Sequence, residues 1–156
     1  MRIRVINGPN LNMLGLREPS IYGTDTLQDL EDRLRRVAEE LGVDVDFVQS
    51  NSEGAIVDAI QACRVTRDAL VINPGGYTHT SVAIHDAIRA AEVPAVEVHV
   101  SNIHARESFR SQSITGAACV AVISGLGLYG YGLALQAAAK LVRAEQGEQA
   151  AVSQEG

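Results

Sequence analysis

The stretch Glu97-Val98-His99-Val100-Ser101-Asn102-Ile103-His104-Ala105-Arg106-Glu107-Ser108-Phe109-Arg110 crowds two His, two Arg, two Glu, two Ser and an Asn into fourteen positions. It follows an apolar run, Val93 to Val96, that reads as the start of a buried strand. The C-terminal ends of such strands are where open α/β sheets bind ligands. Buried polar groups are costly unless partnered, so a bound anionic, hydroxylated molecule accounts for the cluster. Strand alternation puts Glu97, His99 and Ser101 on one face. Glu97 can then hold the imidazole, and a charged His99 can act as a general acid. The plainer alternative is a core histidine with its hydrogen bonds satisfied. Arg106 and Arg110 are four apart, and so share a face if this segment is helical. They suit a carboxylate or hydroxyls, or, more plainly, a surface ion pair with Glu107. His104 reads as a surface residue in a helical turn. No two histidines have metal-helix spacing and no cysteine is close in sequence, so no metal site is expected.

A second group lies in the long first connection, about Gly8 to Asp25, which holds Asn10, Asn12, Arg17, Glu18 and Tyr22. Connections in α/β units usually take about 2–6 residues, so this one reads as an active-site lid. A free Tyr, with a pKa near 10, is a poor base at neutral pH. A neighbouring Arg stabilises its phenolate, which makes Arg17 with Tyr22 a usable general base. A loop Tyr packed on the sheet edge beside a solvated Arg is the alternative. Asn73-Pro74-Gly75-Gly76 lets backbone approach a ligand, or is simply a tight turn. Thr78-His79-Thr80-Ser81 then opens a helix whose N-terminus favours anions. Lys140 is the only lysine and lies away from every motif, which disfavours Schiff-base chemistry.

The elements that must position these groups alternate. Apolar runs at Ile3–Asn7, Val43–Gln49, Ala69–Asn73, Ala95–Val100 and Ala118–Ser124 read as strands. Between the first two, Leu27, Leu30, Leu34, Val37 and Leu41 form a helical stripe, with caps at Thr24, Asp25 or Thr26 and a stop at Gly42. Ser52 caps a second helix, Thr80 or Ser81 a third, and a last helix spans about Tyr131 to Arg143. This rhythm predicts a parallel sheet with helices on both faces, in the flavodoxin-like order 2-1-3-4-5. The loops after the first, third and fourth strands then meet at one crevice. The expected organisation is one domain over residues 1–144 and a disordered tail over 145–156.

The chain has 156 residues, a net charge of −6 and 4% aromatic residues with no Trp. That balance disfavours nucleic-acid partners. Ile114 to Ala139 is uncharged, but its glycines make it read as a strand followed by a helix, so no membrane span is expected. The opening Met1-Arg2-Ile3-Arg4-Val5-Ile6 is too short and charged for a signal peptide. Cys63 and Cys119 read as reduced core thiols of a cytoplasmic protein. Gly125-Leu126-Gly127 with Gly130 matches a dinucleotide fingerprint in letters, but no acidic partner stands at the required distance, so it reads as structural.

Five ordered motifs together closely resemble type II 3-dehydroquinate dehydratase over roughly residues 3 to 140. They are Ile6-Asn7-Gly8-Pro9-Asn10-Leu11-Asn12, Arg17-Glu18-Pro19 with Tyr22-Gly23, Gln49-Ser50-Asn51 with Glu53-Gly54, Asn73-Pro74-Gly75-Gly76 with Thr78-His79-Thr80-Ser81, and Glu97 to Asn102 with Arg106 and Phe109-Arg110. The resemblance implies a flavodoxin-like three-layer subunit in a homododecamer, a tetramer of trimers. It implies conversion of 3-dehydroquinate to 3-dehydroshikimate in the shikimate pathway, without metal or organic cofactor. By this resemblance Tyr22, activated by Arg17, removes a proton beside the substrate ketone. Asn10 positions a water on the enolate, and His99, oriented by Glu97, protonates the departing hydroxyl. Asn73, His79 and Arg110 bind hydroxyls, and the Val100 and Ser101 amides hold the carboxylate. Arg106 closes with the lid, and Asp86 reaches the neighbouring subunit's site. The chain departs from the family at Ser111-Gln112-Ser113, where His-His-Ser is usual, and at Tyr129, where Gln is frequent. The resemblance implies that neither place carries chemistry and that both bear on packing between trimers. Two other readings rest on fold type alone: an FMN or nucleotide-binding module, and a receiver domain. The latter needs acidic residues where this chain has Asn7-Gly8-Pro9.

Overall fold

A computed structural model describes residues 1–16 and 24–152. Five strands, β1 (Arg2–Asn7), β2 (Asp44–Gln49), β3 (Ala69–Asn73), β4 (Ala95–His99) and β5 (Ala121–Ser124), form one parallel sheet in the order β2-β1-β3-β4-β5. The helices are α1 (Leu27–Leu41), α2 (Glu53–Gln61), a single turn α3 (Cys63–Thr66), α4 (Val82–Ala91) and α5 (Tyr129–Val152). The expected flavodoxin-like topology is therefore present.

Strand alternation divides the core in two. Ile3, Val5, Val71, Val96 and Val98 pack with α1 and α5, while Ile6, Leu70, Ile72 and Ala95 pack with α2 and α4. By the same parity, Asn7 and Asn73 at the strand ends turn toward α5, and Glu97 and His99 turn toward α4. The crevice at the strand ends thus receives side chains from both faces. It opens where the strand order reverses between β1 and β3.

Local chemistry sets the helix ends. Thr26 caps α1 in a reciprocal box with Asp29, and Gly42 ends it in the left-handed region at φ 67°. Val43 donates back to Ala38, so it closes the helix and β2 begins one residue later than expected. Ser52 and Ser81 cap α2 and α4. β4 ends at His99 rather than Val100. β5 begins at Ala121 rather than Ala118, because residues 116–118 form a 3-10 turn closed by Ala118 donating to Thr115 and Cys119 to Gly116. The last helix starts two residues early and runs to Val152, into the segment expected to be disordered. The Glu, Gln and Ala of that segment are good helix formers, and no Pro interrupts them. Arg143 donates to the Leu41 carbonyl at the end of α1, which ties the two helices together. Among the described residues no helix is long and apolar enough to cross a membrane.

Away from the crevice, Asp46 accepts from both Arg4 and Arg67 at 2.7 Å. Partial burial is the largest single influence on its carboxyl and opposes ionisation. The hydrogen bonds from Arg67 and Arg4 outweigh it and hold the group below the usual carboxylate range. A depressed folded pKa contributes stability that is present above the unfolded value, about 3.9, and lost as pH falls through the folded value. The stability gap between the protein and its Asp46→Asn variant should therefore be open at neutral pH and narrow below about pH 3.9. Melting temperatures across an acid series check this; a gap that stays constant throughout would contradict it.

Candidate active site

The crevice is walled by three loops, as the strand order requires. Pro9 and Asn10 come from the β1 loop, Asn73, Gly75, Gly76 and His79 from the β3 end, and His99 to Ser101 with Arg106 and Arg110 from the β4 end. Two glycines let the first two loops interlock. Gly8 donates to the Asn73 carbonyl, and a Cβ on it would stand 2.4 Å from the Pro74 oxygen. Gly75 is left-handed at φ +61°, with the Pro9 oxygen 2.9 Å from where its Cβ would be.

His99 is 5% exposed and Glu97 is wholly buried behind it. The His99 Nε2 lies 2.7 Å from Glu97 Oε1. Ser113 Oγ donates to the same oxygen at 2.6 Å, and Thr115 Oγ1 donates to Oε2 at 2.5 Å. Since both hydroxyls donate, the carboxylate is an acceptor on every side. The Nε2 therefore carries a proton toward Glu97, and Nδ1 is the ring nitrogen left for a ligand.

His79 donates from Nδ1 to the Gln112 carbonyl at 2.8 Å, which leaves Nε2 for a ligand. Arg106 donates to the Ser101 hydroxyl at 3.3 Å and lies 3.5 Å from Glu107. Arg110 pairs with Glu107 at 3.0 Å. The two arginines reach the crevice but not from one helical face. Residues 103–105 and 108–110 are separate 3-10 turns, and Arg106 between them is extended at φ −108°. Each arginine lines the wall and each pairs with Glu107, so the ion-pair reading of these residues is present. The Glu107 carboxyl sits below its ordinary range, first through a hydrogen bond with its own backbone.

Asn10 lines the wall in a left-handed conformation, φ 68°, with its N–H on the Asn51 side chain. Asn73 is less open to a ligand than expected. Its Oδ1 accepts from Gly75 N–H and its Nδ2 donates to the Tyr131 hydroxyl at 2.8 Å. Tyr131 in turn donates to Asn7 Oδ1 at 2.7 Å. In the sequence Tyr131 reads only as the start of a helix, and no local signal marks it as the bridge between two strand ends. Nor does any local signal mark Thr115, and Ser113 stands out in the sequence only within the Ser111-Gln112-Ser113 departure. Asp86 is exposed on α4, bonded to His85, and does not line this crevice. Arg17 and Tyr22 lie outside the described residues.

Cys63 is buried, and burial raises its thiol pKa. Burial, with the nearby Glu97 charge, pushes Cys119 up to about 12. Neither supplies a thiolate at neutral pH. The Gly125–Gly127 turn packs back on β4, donating to the His99 and Val100 carbonyls, which is the structural role expected of it.

Arg106, Arg110 and His79 thus line the same crevice as His99, which is backed by the buried Glu97. The model of the family described as Dehydroquinase class II matches residues 1–139. The chain belongs to the class II dehydroquinase family. It is 59% identical to the 3-dehydroquinate dehydratase of Jannaschia sp. over 88% of this chain and 93% of that one. It is 51% identical to the catabolic 3-dehydroquinase of Podospora anserina over 92% and 97% of the two chains. The solved type II dehydroquinase of Butyrivibrio crossotus superposes with a TM-score of 0.86 at 44% identity, over 88% of this chain and 97% of that one. Of the residues the sequence singles out, Asn10, Asn73, His79, His99, Val100, Ser101, Arg106 and Arg110 line the crevice of this dehydroquinase fold, and Glu97 lies behind His99.

Proposed function

We propose that the protein eliminates water from 3-dehydroquinate to give 3-dehydroshikimate, a step of the shikimate pathway, by anti elimination through an enolate. The observation that carries this reading is the buried Glu97–His99 pair at the wall of a crevice that Arg106 and Arg110 also line. Tyr22, with Arg17 stabilising its phenolate, takes the proton from the carbon beside the ketone. The electrons of that C–H bond pass into the enolate, whose oxygen a water held by Asn10 stabilises. When the enolate collapses, the C–O bond of the β-hydroxyl breaks and His99 delivers the proton that makes it water. The imidazolium that donates this proton and the Glu97 carboxylate are together net neutral, so no buried charge is left uncompensated.

Asn73, His79 and Arg110 bind the ring hydroxyls, and the Val100 and Ser101 amides hold the substrate carboxylate. Arg106 closes over it. The reaction needs no metal and no organic cofactor, since every proton transfer has a side chain assigned. Lys140 is exposed on α5, outside the crevice lining, which supports a route without a Schiff base.

One catalytic domain spans residues 1–144. The protein assembles as a dodecamer of four trimers in which Asp86 serves a neighbouring subunit's site. Its exposure away from its own crevice supports that placement. So do the exposed apolar side chains of Val120, Val122, Leu126 and Tyr129, on or next to the edge strand β5. The unpaired cysteines support a cytoplasmic location.

Mixing the folded protein with 3-dehydroquinate should raise the ultraviolet absorbance of a conjugated enone. Absence of that rise would overturn the assignment.

A further inference from the structure

We propose that Ser113 and Thr115 are positioning residues that fix the ionisation of Glu97 and, through it, the tautomer and orientation of the His99 ring. The kinetic part of this proposal rests on the dehydratase reading; the part concerning the ring does not. Glu97 is wholly buried, and a buried carboxylate is tolerated only when hydrogen bonds replace its water. His99 supplies one donor, and the two hydroxyls supply the others.

The direction of the Ser113 hydroxyl is not free. The N–H of Gly116 donates to its oxygen at 2.8 Å, so its single proton points at Glu97 Oε1. A protonated Glu97 would compete with that proton on the same oxygen. A proton on Oε2 would have to reverse the Thr115 hydrogen bond, whereas an ionised Glu97 accepts from all three neighbours, and a carboxylate selects Nε2–H on His99. Nδ1 is then the nitrogen that faces substrate.

The clamp is also built sterically. Residue 116 has no room for a side chain: a Cβ there would stand 2.7 Å from Ser113 Oγ and 3.1 Å from Glu97 Oε1. The segment is pinned to the β3 loop by Ile114 N–H donating to the Thr78 carbonyl at 2.9 Å. Neighbouring Gln112 holds His79 by its backbone oxygen, so one short segment supports both histidines of the crevice. Thr115 is wholly buried, which keeps water from substituting for its hydroxyl.

The test uses Thr115→Val, which keeps the shape and deletes the hydroxyl, Thr115→Ser, which restores it, and Ser113→Ala as an independent second variant. Losing a donor to a buried charged group should cost roughly 10- to 100-fold in kcat, with KM little changed. Thr115→Ser should recover most of the rate. Ring 15N NMR of substrate-free protein, read at a pH where the ring is neutral, should show one His99 tautomer, Nε2–H, in the parent and a mixture in Thr115→Val and Ser113→Ala. A merely structural role would not alter the ring tautomer. Unchanged ring nitrogens in both folded variants would overturn the proposal, with or without a loss of rate. A parent protein inert toward 3-dehydroquinate would remove the dehydratase reading alone, because the ring signature is read without substrate.

Discussion

His99→Ala is expected to lower kcat by roughly 10²–10⁴-fold, the range typical of a general acid. Hydroxide is a poor leaving group, and collapse of the enolate stalls unless the departing oxygen is protonated. The loss should fall on kcat rather than KM, because protonation develops in the transition state and contributes little to ground-state binding. Removing the ring also leaves Glu97 with only its two hydroxyl donors. Some loss of thermal stability should accompany the variant, and the assay belongs well below its melting temperature. Enone formation in steady state checks the prediction, and near-normal turnover in folded variant would exclude His99 as the acid.

Tyr22→Phe should have an effect of the same order, roughly 10²–10⁴-fold, since it deletes the atom that accepts the substrate proton while keeping the ring. The two variants differ in where the reaction stops. Without Tyr22 no enolate forms, so exchange of the substrate α-hydrogen with deuterated solvent should cease along with turnover. Without His99 the enolate can form and return, so exchange should outlast dehydration. Mass analysis of recovered substrate separates the two. Persistent exchange in Tyr22→Phe would remove the base role from Tyr22 and from the Arg17 that activates it.

Much of this site was legible before folding because its residues sit next to one another in the chain. Glu97 and His99 are two apart on a strand, and strand alternation alone puts them on one face. The β1 and β3 loops were legible through glycines and prolines whose backbone needs are local. The Arg106–Arg110 relation was misjudged because spacing of four carries meaning only inside a continuous helix, and the segment breaks at Arg106. The extension of α5 past Arg143 was missed because a polar composition suits an exposed helix as well as a disordered tail.

By itself the sequence determined the alternation of strands and helices, the strand order and the family, because each follows from periodicity, chain handedness or ordered motifs. Only the tertiary structure decided which groups complete the site. Tyr131 reaches Asn7 across 124 positions, and Thr115 reaches Glu97 across 18. Such contacts depend on the register of non-adjacent elements and on the void between them, which no local pattern encodes. That is why His99 could be read from the chain as an acid, while the hydroxyls that orient its carboxylate partner emerged only once the loop after Arg110 was laid against the end of β4.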